Sequence, residues 1–151
     1  MPCPVILPRP RPAAGGLRRW SYRPDVSERH VNWDAVPAVL EDFELDREPD
    51  RAELRDAVRA LLRALAQCAP GRSVELRVPP YGAIQCVAGP RHTRGTPPNV
   101  VETDPITFVK ITTGVLGWAD AVAQGKIVKS GIRADLSPYL PCWPDKTQET
   151  R

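Results

Sequence analysis

Proline sets the first boundary on this chain. It fixes φ and removes a backbone donor, which confines it to helix starts, turns and sheet edges. The 151 residues include 18 prolines, too many for uniform packing. Pro2, Pro4, Pro8, Pro10, Pro12 and Pro24 crowd the first stretch, among Arg9, Arg11, Arg18, Arg19, Arg23 and the pair Gly15-Gly16. Such a segment buries too little apolar surface to offset its ordering entropy. Residues 1–30 are therefore expected to form a disordered arm, 31–46 a linker or short helix, 47–143 the folded domain and 144–151 a flexible tail. About 100 residues suffice for one modest core and no second.

Charge narrows the partners. The net charge of +3, from 21 basic and 18 acidic residues, has its excess in the arm, which leaves the domain near neutral. A nucleic-acid surface needs clustered Lys and Arg over phosphates, so no nucleic-acid partner is expected. Cys3, Cys68, Cys86 and Cys142 are scattered without a CxxC pair, and His30 and His92 are the only histidines. That spacing suits no tetrahedral metal site, and neither metal nor cofactor is expected. The run Val5-Ile6-Leu7 is too short for a secretory core or a membrane span; a cytoplasmic protein with free thiols and no stable membrane insertion is the expectation.

The clearest element is Asp50–Ala69, where Leu54, Val58, Leu61, Leu62 and Leu65 form one stripe at helical spacing. Asp50 stands at the N-cap with Glu53 three residues on, and Pro70-Gly71 ends the helix. A shorter helix starting near Asp34 is expected from Trp33, Val36, Val39, Leu40 and Phe43, with Pro37 tolerable only in its first turn. Ser73–Val78 alternates with period two, Pro79-Pro80-Tyr81-Gly82 reads as a tight connection, and Ala83–Ala88 as the returning strand of a hairpin. A third strand over Asn99–Glu102 follows the loop GPRHTRGTPPN. Asp104 or Thr103 then caps a helix with Pro105 first, stopped by Gly114. Trp118–Gln124 is a second short helix closed by Gly125, Lys126–Ser130 a fourth strand, and Ile132–Leu140 a last short helix or turn. This order describes an α+β fold, a sheet covered by helices on one face.

The tail ETDPITFVKITTGVLGWADAVAQGKIVKSGIRADLSPYL resembles the closing half of sterol carrier protein domains. Asp104 caps a helix holding Phe108 and Ile111, Gly114 ends it, Trp118 and Val122 follow, and the strand after Gly125-Lys126 closes at Gly131 before Leu136 and Leu140. With RVPPYGAIQCVAGPRHTRGTPPNVVETDP, the resemblance is to the bacterial orthologue domains of actinomycete proteins. Some of those stand alone and some are joined to a mycothiol-dependent maleylpyruvate isomerase-like helical bundle. The resemblance implies a sterol carrier protein-like fold, a twisted, mostly antiparallel sheet with helices on one face. It also implies an apolar tunnel between them that takes a sterol, fatty acid or acyl-CoA without catalysis.

In that frame Phe108, Ile111, Val115, Leu116, Trp118, Val122, Ile127, Leu136 and Leu140 are the expected tunnel wall; the plainer alternative is ordinary core. Arg91, His92 and Arg94 could clamp an anionic head group through forked guanidinium contacts, or could form a solvated loop. His92 has no nucleophile at a readable spacing beside it, so no catalytic residue is assigned. Cys86, in mid-strand, reads as a small buried apolar residue. Two further functions stay open: an accessory domain that partners a mycothiol-dependent isomerase-like enzyme with no ligand of its own, and an enzyme using the Arg91-His92-Arg94 loop.

Overall fold

The computed structural model describes residues 31–90, 95 and 97–143. The expected arm and tail, and Arg91, His92 and Arg94, lie outside the described residues. Helix α1 spans Ala35–Glu44. Pro37 is its third residue, where the backbone N–H would have no intrahelical acceptor in any case. Val36 and Val39 are fully buried, and Trp33 just before the helix is nearly so.

Helix α2, Arg51–Cys68, starts as its residues dictate: the Asp50 carboxylate accepts from the N–H groups of Ala52 at 2.9 Å and Glu53 at 3.3 Å. Two of the helix's orphan donors are thereby satisfied. Leu54, Val58, Leu61, Leu62 and Leu65 are all buried, joined by Ala57, Ala60 and Ala64. This helix is the spine of the core, packed against α1, the sheet and a third helix.

The sheet is four-stranded in the order β2-β1-β3-β4, with β1 Val74–Val78, β2 Gly82–Cys86, β3 Val100–Thr103 and β4 Ile127–Ser130. β1 and β2 form the expected antiparallel hairpin, Leu76 opposite Ile84. β3 and β4 are also antiparallel, but β1 and β3 run parallel, Leu76 opposite Val101. The sheet is thus mixed, because the chain leaving β2 crosses the start of β1 before turning into β3. Val74, Leu76, Val78, Cys86 and Val101 are buried beneath the helices, while Ala83, Gln85, Glu102 and Val128 on the other face are exposed.

β2 is shorter than Ala83–Ala88. Val87 adopts φ 67° and gives its N–H to the Ala69 carbonyl at 2.7 Å, which takes it out of the ladder. Helix α3, Pro105–Thr113, has the expected Asp104 cap, accepting from Thr107 N at 2.9 Å, and ends at Gly114 in the left-handed region, φ 82°. Helix α4, Trp118–Ala123, leads through a turn into β4. Gly131 then takes φ 98° in a place where a Cβ would collide with the Pro98 carbonyl, so the break there requires glycine. Of the short helix or turn expected over 132–140, the structure forms the 3₁₀ turn Ser137–Tyr139. Pro138 offers no donor to extend it, and the Asp135 side chain takes the Ser137 N–H at 3.0 Å.

Candidate functional site

The residues expected to wall a tunnel fall into three groups. Phe108, Ile111, Ile127 and Leu136 are buried, at 0, 2, 6 and 1 % exposure. Leu116, Trp118, Val122 and Leu140 are half-buried against that core. Val115 is 58 % exposed. The expected wall is therefore divided: four residues lie in the core, four are partly exposed against it, and Val115 is in solvent.

Local structure explains the division. Phe108 and Ile111 share the inner face of α3 by their spacing of three. The hydroxyls of Thr112 and Thr113, buried beside them, are satisfied by the carbonyls of Phe108 at 2.7 Å and Val109 at 2.6 Å, which lets polar residues sit in the core without cost. After Gly114 the chain doubles back, and Leu116 N donates to Lys110 O at 3.1 Å. The C-terminal segment returns to the same place, with the N–H groups of Cys142 and Trp143 both donating to Thr112 O at 3.0 Å. Leu140 thereby joins the half-buried group.

Helix α4 is lightly held. Of its six residues only Ala121 is buried. It is tied to the sheet from behind, where Lys126 N donates to Ala121 O at 3.0 Å and Thr103 Oγ1 donates to Lys126 O at 2.8 Å. Trp118 and Val122, four residues apart, share one side of it.

The ionisable groups with shifted titration carry structural roles. Burial pushes the Cys86 thiol up to about 12, so it is neither a thiolate nor a nucleophile at neutral pH. Asp135 is held below the usual carboxylate range, first by the Ser137 N–H, then by the Ser137 side chain, with Lys129 adding a smaller pull; it caps a turn. Cys68, Cys86 and Cys142 are all buried. Among the described residues no group of three His, Cys, Asp or Glu is placed to hold a metal ion, and no helix is long and apolar enough to cross a membrane.

Sequence reasoning missed two surface clefts. One, of about 280 Å³, lies between Arg77, Pro79, Pro80, Gly82, Ala83 and Glu102. The other, of about 450 Å³, is framed by Asp50, Arg51, Ala52, Arg55 and Tyr81. None of the expected wall residues lines either cleft. Both are lined in part by the Pro79-Tyr81 connection, and a turn motif carries no signal of what it will border.

Compared with known protein families, residues 50–142 match the family described as Bacterial SCP ortholog. A search of curated proteins found no match. The match begins at the Asp50 cap and ends at Cys142, so it takes in α2, the whole sheet and both short helices while α1 precedes it. The chain therefore belongs to the bacterial sterol carrier protein orthologues, as a domain of the sterol carrier protein-like type.

Proposed function

We propose that this domain is a non-catalytic binding module for an apolar or lipid-like molecule of the sterol, fatty acid or acyl-CoA class, taken up at the seam between α3, α4 and the C-terminal segment. What supports this reading is the state of α4. A helix with one buried residue in six has little holding it down, and weakly packed elements open at low cost. Lifting it would extend the half-buried row, Leu116, Trp118, Val122 and Leu140, over a floor of Phe108 and Ile111. An acyl chain laid there gains about 0.8 kcal/mol for each methylene removed from water. Ten methylenes would give roughly 8 kcal/mol before ordering costs, which corresponds to low-micromolar binding at best.

A second reading has its own support. Leu61, Leu65, Leu76, Phe108 and Leu136 fill the space between sheet and helices and are all buried, which favours an accessory domain that stabilises or positions a partner enzyme and takes no ligand. Native mass spectrometry of the protein purified from its own host separates the two. The binding reading expects a population heavier by the mass of an acyl or sterol-like molecule, lost on organic extraction. Bare polypeptide throughout would favour the accessory reading.

A further inference from the structure

The outer face of α2 is used neither by the core nor by the seam. Arg51, Arg55, Arg59 and Arg63 follow one another at four-residue intervals, about 6 Å apart along the axis, turning from Arg51 and Arg55 beside Tyr81 to Arg59 and Arg63 on the side away from Leu54, Leu61 and Leu65. Arg51, Arg59 and Arg63 are exposed and Arg55 half-buried. Arg55 is engaged by Asp56, Nε and Nη2 each 3.0 Å from Oδ1. Among the described residues, Arg51 and Arg59 make no ion pair or side-chain hydrogen bond. Helix physics argues against such a line: like charges at i, i+4 repel, and Arg51 in the first turn faces the positive end of the helix dipole.

We propose that this ridge docks an acidic helix of a protein partner, one that presents carboxylates at four-residue intervals. Every cation on α2 is arginine and none is lysine, and the planar guanidinium fork pairs with a carboxylate through two parallel hydrogen bonds. The ridge is also one helix wide. Glu53 and Asp56 interrupt it on α2, and Glu41 and Glu44 are exposed on α1, which packs alongside. An extended anionic surface, bilayer or duplex, would meet all four acids; a single helix laid along the arginines would meet only Asp56, already bonded to Arg55. At the ridge's N-terminal end the cleft framed by Arg51, Arg55 and Tyr81 offers a recess for an anchoring side chain.

The test is fluorescence anisotropy of the full chain with a labelled helical peptide bearing Glu at every fourth position. Its Gln counterpart, phosphatidylserine vesicles and duplex DNA serve as competitors. The Glu peptide should bind and the Gln peptide should not, and binding should weaken about tenfold as salt rises from about 50 to about 500 mM. The double variant Arg55→Gln/Arg59→Gln should lose about tenfold in affinity while keeping its melting temperature, since neither side chain is in the core. No binding of the Glu peptide, or equal binding by the double variant, would overturn the assignment. Tighter binding of vesicles or DNA would hand the ridge to a different polyanion. A salt-sensitive dimer without peptide would hand it to a second copy of the chain.

Discussion

The indole of Trp33 stacks on that of Trp143, ring centroids 5.8 Å apart and planes inclined by 13°. One ring stands at the entry to α1 and the other at the end of the C-terminal segment, so the pair closes the domain across its full length. Trp33 lies before the matched family segment and Trp143 just beyond it. The folded unit is therefore larger than the segment the family shares.

Removing the stack should loosen that closure. Trp33→Ala is expected to cost about 3 kcal/mol and Trp143→Ala about 2 kcal/mol, the second less because Trp143 is only half-buried. A fragment starting at Asp50 should melt well below one starting at Val31, because it loses the cover given by the fully buried Val36 and Val39. Thermal melts of the two variants and the two fragments decide it; equal melting temperatures for the fragments would show that α1 contributes nothing to the core.

Leu61→Asp should unfold the domain. Leu61 is fully buried at the centre of the α2 stripe, and an unpaired carboxylate there costs about 4 kcal/mol or more, a large part of the stability of a domain this size. Loss of the helical circular dichroism signal is the expected outcome, and an unaltered spectrum and melt would place α2 outside the core.

Cys86 makes stability fall at high pH. An exposed thiol ionises near 9.0, while burial keeps the folded one protonated until about 12. Between those values the folded state holds a proton that the unfolded state has released, so the contribution is intact below about pH 9. It declines as pH rises toward 12, by at most about 1.4 kcal/mol per unit. Denaturant melts from pH 8 to 11 should show a steeper loss for the wild type than for Cys86→Ala. Identical slopes would mean that the thiol is accessible in the folded state.

Much of this architecture is legible in the residues themselves. The α2 stripe, the Asp50 and Asp104 caps and the hairpin around Pro79-Pro80 follow from periodicity and turn chemistry, and each stands where those rules put it. The end of β2 does not, because Val87 leaves the ladder to bond Ala69, a long-range contact that no local pattern announces. The wall residues were legible as apolar, but an apolar pattern alone cannot separate Phe108, which is dry core, from the half-buried Trp118 or Val115 in water. That distinction arises from the doubling back at Gly114 and the return of the chain at Leu140 to Trp143. The arginine ladder of α2 was visible as spacing, and only the burial of the opposite face shows it to be a ridge.

Uptake of an apolar ligand between α3, α4 and the C-terminal segment is tested most directly by titrating the protein with a fluorescent fatty acid. Emission is read at the probe and at Trp118, with Trp118→Phe as the control for the other indoles. Saturable binding at about 1–10 µM is expected, with a matching change in Trp118 emission. A loss of about tenfold or more in Phe108→Ala is expected provided that variant keeps its melt, because the ring is worth about 1.5–3 kcal/mol of burial. No binding of the probe, or binding that leaves Trp118 emission untouched and survives Phe108→Ala, would contradict it.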